Sequence, residues 1–242
     1  MQKQIFKLPG VEINFAGVKQ AQARDLCLAV AGGREPAGEW LQELRADYPQ
    51  AEIYCADKGL AYCLKQNILP DYVYGDADSA GKTLFNQAEA LGVKVNVYPE
   101  LKDDTDLQLL LSCLPECDLL ISGVFGGRLD HLYSNIFSLR AHMQRKHKHI
   151  IMADHKEALL LLEAGDILEL EFTEKAKAKL EAISLLPLTE SSEVTLKGVY
   201  WPLEKAELEL MRPYAISNVL HKGQKLACTC HRGKIGLYFC FR

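Results

Sequence analysis

The 242-residue chain has no long apolar run. Its longest, such as ALLLL at 158–162, fall far short of the roughly 20 residues that span a bilayer, which excludes a helical membrane protein. It has no surplus of positive charge. Lys and Arg number 28 against 32 Asp and Glu, a net charge of −4, which argues against a nucleic-acid binder with a basic face. The opening residues, MQKQIFKLPG, lack the apolar core of a signal peptide, so a cytoplasmic location is expected. The Cys-x2-Cys spacing of structural zinc sites is also missing. Eight cysteines stand at 27, 55, 63, 113, 117, 228, 230 and 240, several inside apolar segments such as DLCLAV and LYFCF. They read as reduced core thiols rather than disulfides or metal ligands. What remains is an ordinary globular composition, 48% hydrophobic and 25% charged. The length allows one large domain or two modest ones.

Two rhythms divide the chain. From about residue 25 to 153, apolar runs (DLCLAV, AEIYCA, YVYG, VKVNVY, DLLISGVF, HIIMA) alternate with helix-like stretches. The helical candidates are EWLQELRADY, GKTLFNQAEALG, LQLLLSCL and LDHLYSNIFSLRAHM. In the last, Leu132, Ile136, Leu139 and Met143 fall on one helical face. Such alternation predicts βαβ units: a Rossmann-like, mostly parallel sheet with helices. After about residue 157 the runs shorten. ALLLLEAGDILELEF reads as two strands around a Gly-Asp turn, and AISLLPL, VTLKGVYW, KLACTC and KIGLYFCF as further strands. KAKAKLEA and LEKAELELM keep helical character. The expectation is an α/β domain over 1–156, with 1–22 as a hairpin-like extension. A small, sandwich-like all-β domain follows over 157–242.

Polar clusters in the first half fall just beyond the predicted strands. Asp57 follows IYCA. Gly75, Asp76, Asp78 and Ser79 follow YVY. Asp103, Asp104, Thr105 and Asp106 follow VKVNVYPELK. Gly126, Gly127, Arg128, Asp130 and His131 follow LLISGVF. In an open parallel sheet those strand ends share one edge, where ligands bind. Any single Asp there can be a turn or cap residue; Asp103 or Asp104 would cap the next helix. Together they form an acidic rim suited to Mg²⁺, a hard cation that takes oxygen ligands and recruits phosphates. The paired glycines before Arg128 let backbone N–H groups approach an anion at a helix start, and the guanidinium adds a fork for phosphate oxygens. The alternative there is a tight turn with Asp130 as cap and Arg128 solvated. Gly81-Lys82-Thr83 is not a P-loop. The pattern needs a Gly five positions before Gly81, and that position holds Asp76. The tripeptide reads instead as a helix start.

These motifs resemble the thiamine pyrophosphokinase (thiamin diphosphokinase) family in its bacterial form. ADKG (56–59), PDYVYGDADS (70–79), DDTD (103–106), GGRLDH (126–131) and Asn135 follow the family's order and spacing, as do LLPL, VTLKGVYWPLE and AISN in the second half. Lys58 departs from the family pattern, standing where it has a glycine. The resemblance implies transfer of diphosphate from ATP to the hydroxyl of thiamine, giving thiamine diphosphate and AMP. It implies Mg²⁺ on Asp76, Asp78 and Asp106, which with Arg128 form the catalytic set. Nucleotide would lie against Asp57, Gly59, Asp103, Thr105, Gly126, Gly127, Arg128, Asp130 and His131. Thiamine would meet Asp78, Ser217, Asn218 and Trp201, although Trp201 reads equally as a core residue of the β domain. The family's homodimer places thiamine at the subunit interface. Alternatives are diphosphate transfer to another hydroxymethyl heterocycle such as a pterin, a metal-dependent phosphoesterase, or a non-catalytic nucleotide sensor.

Overall fold

The computed structural model describes residues 4–16, 26–76, 81–99, 103–146, 149–212 and 214–242. The chain forms β1 (Gln4–Leu8), β2 (Val11–Ala16), β3 (Leu26–Val30), α1 (Trp40–Asp47), β4 (Glu52–Ala56), α2 (Gly59–Lys65), β5 (Tyr72–Gly75), α3 (Lys82–Ala90), β6 (Lys94–Val97), α4 (Asp106–Cys113), β7 (Asp118–Ser122), α5 (Leu129–Lys146) and β8 (Ile150–Ala153). It continues through β9 (Glu157–Glu163), β10 (Ile167–Phe172), α6 (Glu174–Lys179), β11 (Leu180–Pro187), β12 (Ser191–Lys197), β13 (Leu203–Glu209), β14 (Leu226–Arg232) and β15 (Lys234–Phe241). It separates into two compact units, Arg24–Asp154, and Met1–Ala23 with His155–Arg242.

In Arg24–Asp154 the strands are parallel and ordered β8-β7-β3-β4-β5-β6. The inner strands are buried along their length, as in Leu119, Leu120 and Ile121 of β7 and Ile150, Ile151 and Met152 of β8. Parallel strands covered on both faces read as continuous apolar runs for this reason. Helices supply the cover: α1 buries Trp40, Leu41 and Leu44, and α4 buries Leu107, Leu110 and Leu111. From β3 the chain steps outward through β4, β5 and β6, then returns to place β7 on the other side of β3. That reversal creates a crevice beyond the carboxyl ends of β3 and β7.

The second unit is antiparallel. One sheet runs β1-β2-β10-β14-β12-β13, and β15 pairs with both β11 and β9. The ring of Phe172 on β10 meets that of Phe239 on β15 edge-on at 5.6 Å, so the two layers share a core, as in a sandwich. The strands flanking the Gly165-Asp166 turn do not pair with each other; β9 lies in one layer and β10 in the other.

Two expectations change. The hairpin assigned to 1–156 as its extension hydrogen-bonds along β10, from Ile167↔Ala16 to Phe172↔Val11, and buries Phe6, Ile13 and Phe15 in the β unit. Its apolar alternation needs a sheet edge to cover, and β10 offers one. The segment LEKAELELM is not helical, since Leu203–Glu209 forms strand β13 beside β12. Its Leu, Glu, Lys and Ala favour helix locally, but cross-strand pairing overrides so weak a preference.

Candidate active site

The loops named for their polar clusters do meet at one edge. Each follows the carboxyl end of a strand in the parallel sheet, and neighbouring loops are tied by backbone bonds. Asp57 N–H donates to Tyr74 O at 2.8 Å, and Tyr98 N–H to Gly75 O at 2.9 Å. A Cβ on Gly75 would sit 3.2 Å from the Asp57 Cα. The loops after β4, β5 and β6 therefore start side by side. Asp57 is buried and takes a left-handed φ of 45°, a conformation that costs energy outside glycine and concentrates at functional sites.

Asp76 follows β5 directly and is partly buried. Asp78 lies outside the described residues. Asp106 begins α4 and is partly buried, whereas Asp103 and Asp104 are exposed. The cap of α4 is Thr105, not Asp103 or Asp104. Its hydroxyl accepts from Gln108 N–H at 3.3 Å, and the Gln108 side chain accepts from Thr105 N–H at 2.8 Å. This reciprocal capping box commits the Thr105 side chain to the helix, while Asp103 and Asp104 face solvent. Lys82 and Thr83 are exposed at the start of α3, as a helix start requires.

Gly59 opens α2 and is buried. A Cβ there would come within 1.9 Å of Val30 O, so glycine lets the helix press against the end of β3. Lys58, its neighbour, is exposed, and its Cβ would lie 3.1 Å from one on Gly32. Beyond β3 and β7 the chain keeps its parallel pairing without being strand. Ala31 N–H donates to Ser122 O (2.8 Å), Gly33 N–H to Gly123 O (2.6 Å) and Arg34 N–H to Phe125 O (2.6 Å). Gly126 and Gly127 then turn with φ of 71° and 70°. Arg128 and Asp130 are exposed and paired, with Arg128 Nε donating to Asp130 Oδ1 at 3.1 Å. The hydrogen bond from Arg128 holds the Asp130 carboxyl below its ordinary range, and the same bond raises the guanidinium. Asp130 Oδ1 also accepts from the N–H of exposed His131, at 3.0 Å. Asn135 of α5 donates to Val124 O at 3.1 Å, anchoring the helix under the turn.

Sequence reasoning missed the residues that brace this turn. Arg34 pairs with the buried Asp154 just past β8, and Tyr62 Oη donates to Gly33 O at 2.9 Å. Asp154 carried the same signal as the other acids, a polar residue beyond a strand end.

The other sequence-predicted residues lie in the antiparallel unit. Asn218 is buried with both ends of its amide engaged: Oδ1 accepts from the N–H of Trp201 (3.1 Å) and of Val219 (2.9 Å), and Nδ2 donates to Trp201 O (2.7 Å). It is a bracket for the backbone. Ser217 beside it has φ 59°, and its N–H donates to Ser184 Oγ at 3.0 Å. Trp201 is not a core residue. It is 59% exposed, with its ring against Tyr200 at 4.8 Å. Cys228 and Cys230 are buried in β14, and burial pushes the Cys230 thiol up to about 12.

Comparison with known proteins decides the family. The profile described as the catalytic domain of thiamin pyrophosphokinase matches residues 49–152. The one described as its vitamin B1 binding domain matches 169–235. The chain is 31% identical over 168 residues to the thiamine pyrophosphokinase of Bacillus subtilis, covering 68% of this chain and 76% of that one.

The chain belongs to the thiamin pyrophosphokinase family.

A crystal structure of the Bacillus subtilis thiamine pyrophosphokinase superposes with a TM-score of 0.73 at 25% identity, covering 90% of this chain and 100% of that one. The thiamin pyrophosphokinase of Candida albicans shares the fold, with a TM-score of 0.72 over 100% of this chain and 99% of that one at 13% identity. The activity is that of an enzyme transferring diphosphate from ATP to thiamine. Pterin transfer, phosphoester hydrolysis and nucleotide sensing fall away as readings. Among the described residues no helix is long and apolar enough to cross a membrane.

Proposed function

We propose that this transfer takes place at the carboxyl edge of the parallel sheet, with Mg²⁺ held by Asp76, Asp78 and Asp106. The observation that carries the reading is that the loops after β4, β5 and β6 start side by side, with Asp57 and Asp76 on a backbone fixed by hydrogen bonds between neighbouring strand ends. The donors fit the ion. They are carboxylate oxygens, the ligands a hard cation takes. Mg²⁺ takes oxygen ligands and completes its shell with water and substrate phosphates. When bound it would supply positive charge to offset the charge developing on the phosphates.

The chain's own residues do the rest. The thiamine hydroxyl attacks the β-phosphorus in line and AMP departs, a reaction that depends on positioning and charge stabilisation. Arg128 lies exposed with Asp130, a pairing weak enough in water to yield to a phosphate. The left-handed glycines at 126 and 127 leave room for the nucleotide to approach the backbone. Asp57 and Asp103 support the metal-binding acids, with Gly59 and Thr105 fixing the loops. Asp130 and His131 border the nucleotide. In the β unit, Trp201 presents an open aromatic face to thiamine beside Ser217, while Asn218 holds that face in place. Asp78 remains the acidic residue proposed for thiamine. The enzyme acts as a homodimer with its sites at the subunit interface. Exposed apolar side chains in the β unit, including Trp201, Met211 and Ile216, support this.

The test is magnesium-dependent turnover. Activity should vanish with EDTA and return with Mg²⁺, and light scattering should give twice the 27.1 kDa chain mass. Full turnover without divalent cation would remove the metal from the account.

A further inference from the structure

We infer that Arg34, acting with Asp154, positions the Gly126–Arg128 turn for the phosphates of ATP. The inference rests on the reading of that turn as the phosphate site. Arg34 follows Gly32-Gly33 beyond β3, and one side chain ties three strand ends together. Its Nε donates to Asp154 Oδ2 at 2.8 Å and its Nη2 to Asp154 Oδ1 at 3.3 Å, just past β8. Its guanidinium lies 5.9 Å from the centre of the Phe125 ring, just past β7, and its N–H donates to Phe125 O. A Cβ on Gly126 would come within 2.9 Å of the Arg34 Cβ, so the stem of Arg34 lies directly against the turn.

The burial is asymmetric. The Asp154 side chain is fully buried and that of Arg34 is 25% exposed. A buried carboxylate holds its place only while paired, and a forked guanidinium fixes direction as well as charge. The pair therefore sets where Phe125 ends and the two left-handed glycines begin. Arg34 contacts the turn rather than the reacting atoms. It is a positioning residue, acting through Gly126, Gly127 and Arg128.

Arg34→Lys isolates this role, because it keeps a charge against Asp154 and the same Cβ against Gly126 but loses the fork. A misplaced turn should raise the KM for ATP about tenfold while the KM for thiamine stays within about twofold. The Arg34→Lys, Arg128→Ala double variant should match Arg128→Ala alone, since both act through one turn. A purely structural role would instead lower the melting temperature and the active fraction with both KM values unchanged, which overturns the inference. If Arg34→Lys does not fold, the Arg34→Gln, Asp154→Asn pair removes both charges and retains an amide contact. It should show the same selective rise, and unchanged ATP KM there overturns the inference equally. Arg128→Ala by itself separates the two layers. Unchanged ATP KM in that variant overturns the phosphate reading of the turn and this inference with it. A rise there without one in Arg34→Lys overturns only the role of Arg34.

Discussion

The parallel unit and the antiparallel unit hold their functional residues by different means. Around β3, β4, β5 and β7 the site loops are locked to one another by main-chain bonds, including those from Ala31, Gly33, Arg34, Asp57 and Tyr98. The exposed Arg128 side chain stands on that frame without building it. In the β unit, the segment carrying Trp201 and Ser217 adds a buried side chain to its main-chain bonds: the Asn218 amide brackets Trp201, beside the bridges Ile183↔Asn218 and Val199↔Leu220. Phosphoryl transfer explains the difference. Charge developing in a transition state is best met by groups that need not reorganise. A flat heterocycle needs only a fixed aromatic surface. Charge changes at the rim acids and Arg128 should therefore alter rate with little effect on folding, and changes at the bracket in the second unit should alter folding first.

Asp76→Asn tests the first half of that contrast and carries the largest expected effect. Several kcal/mol of transition-state charge stabilisation should be lost, lowering kcat at least about a hundredfold, with the melting curve nearly unchanged. Asp78→Asn should behave alike. Near-normal kcat in both would end their assignment as metal ligands.

Gly59→Ala probes the frame itself. A methyl 1.9 Å from Val30 O cannot be accommodated without moving α2, and overpacking of this kind costs about 1–3 kcal/mol or more. Chemical denaturation should show a lower midpoint. An unchanged midpoint would mean that α2 is free to shift, and the frame would not be rigid.

Asn218→Ala moves to the bracket. It strips partners from Trp201 N–H, Trp201 O and Val219 N–H, at about 1–3 kcal/mol for buried polar groups left unmade. A drop of several degrees in melting temperature should accompany a raised KM for thiamine and an unaltered KM for ATP. A rate defect without loss of stability would instead make Asn218 a direct substrate contact.

Trp201→Ala should have the smallest effect on stability, within about 0.5 kcal/mol, as for surface positions generally, because the ring is 59% exposed. Its effect should fall on thiamine binding. Marked unfolding would show that Trp201 supports the core after all.

Much of this organisation was legible in the sequence. The six apolar runs became β3 through β8: the inner strands are covered on both faces and read as continuous apolar runs, and the part-exposed edge strand β6 showed by its alternating valines. The acids and the Gly-Gly-Arg turn declared themselves by standing just past strand ends. Helix α2 was not legible, because GLAYCLK has too few turns to show a period. Strand β13 was hidden by its helix-forming residues. Arg34 and Asp154 escaped because their roles depend on each other, 120 residues apart. Trp201 stayed ambiguous because an apolar residue reads the same whether it fills a core or faces a ligand.

The central claim is a single-step diphosphate transfer at the acidic edge, and product analysis tests it most directly. With ATP, thiamine and Mg²⁺, the enzyme should release AMP and thiamine diphosphate in equal amounts. Formation of ADP with thiamine monophosphate, or of inorganic phosphate without thiamine diphosphate, would contradict it.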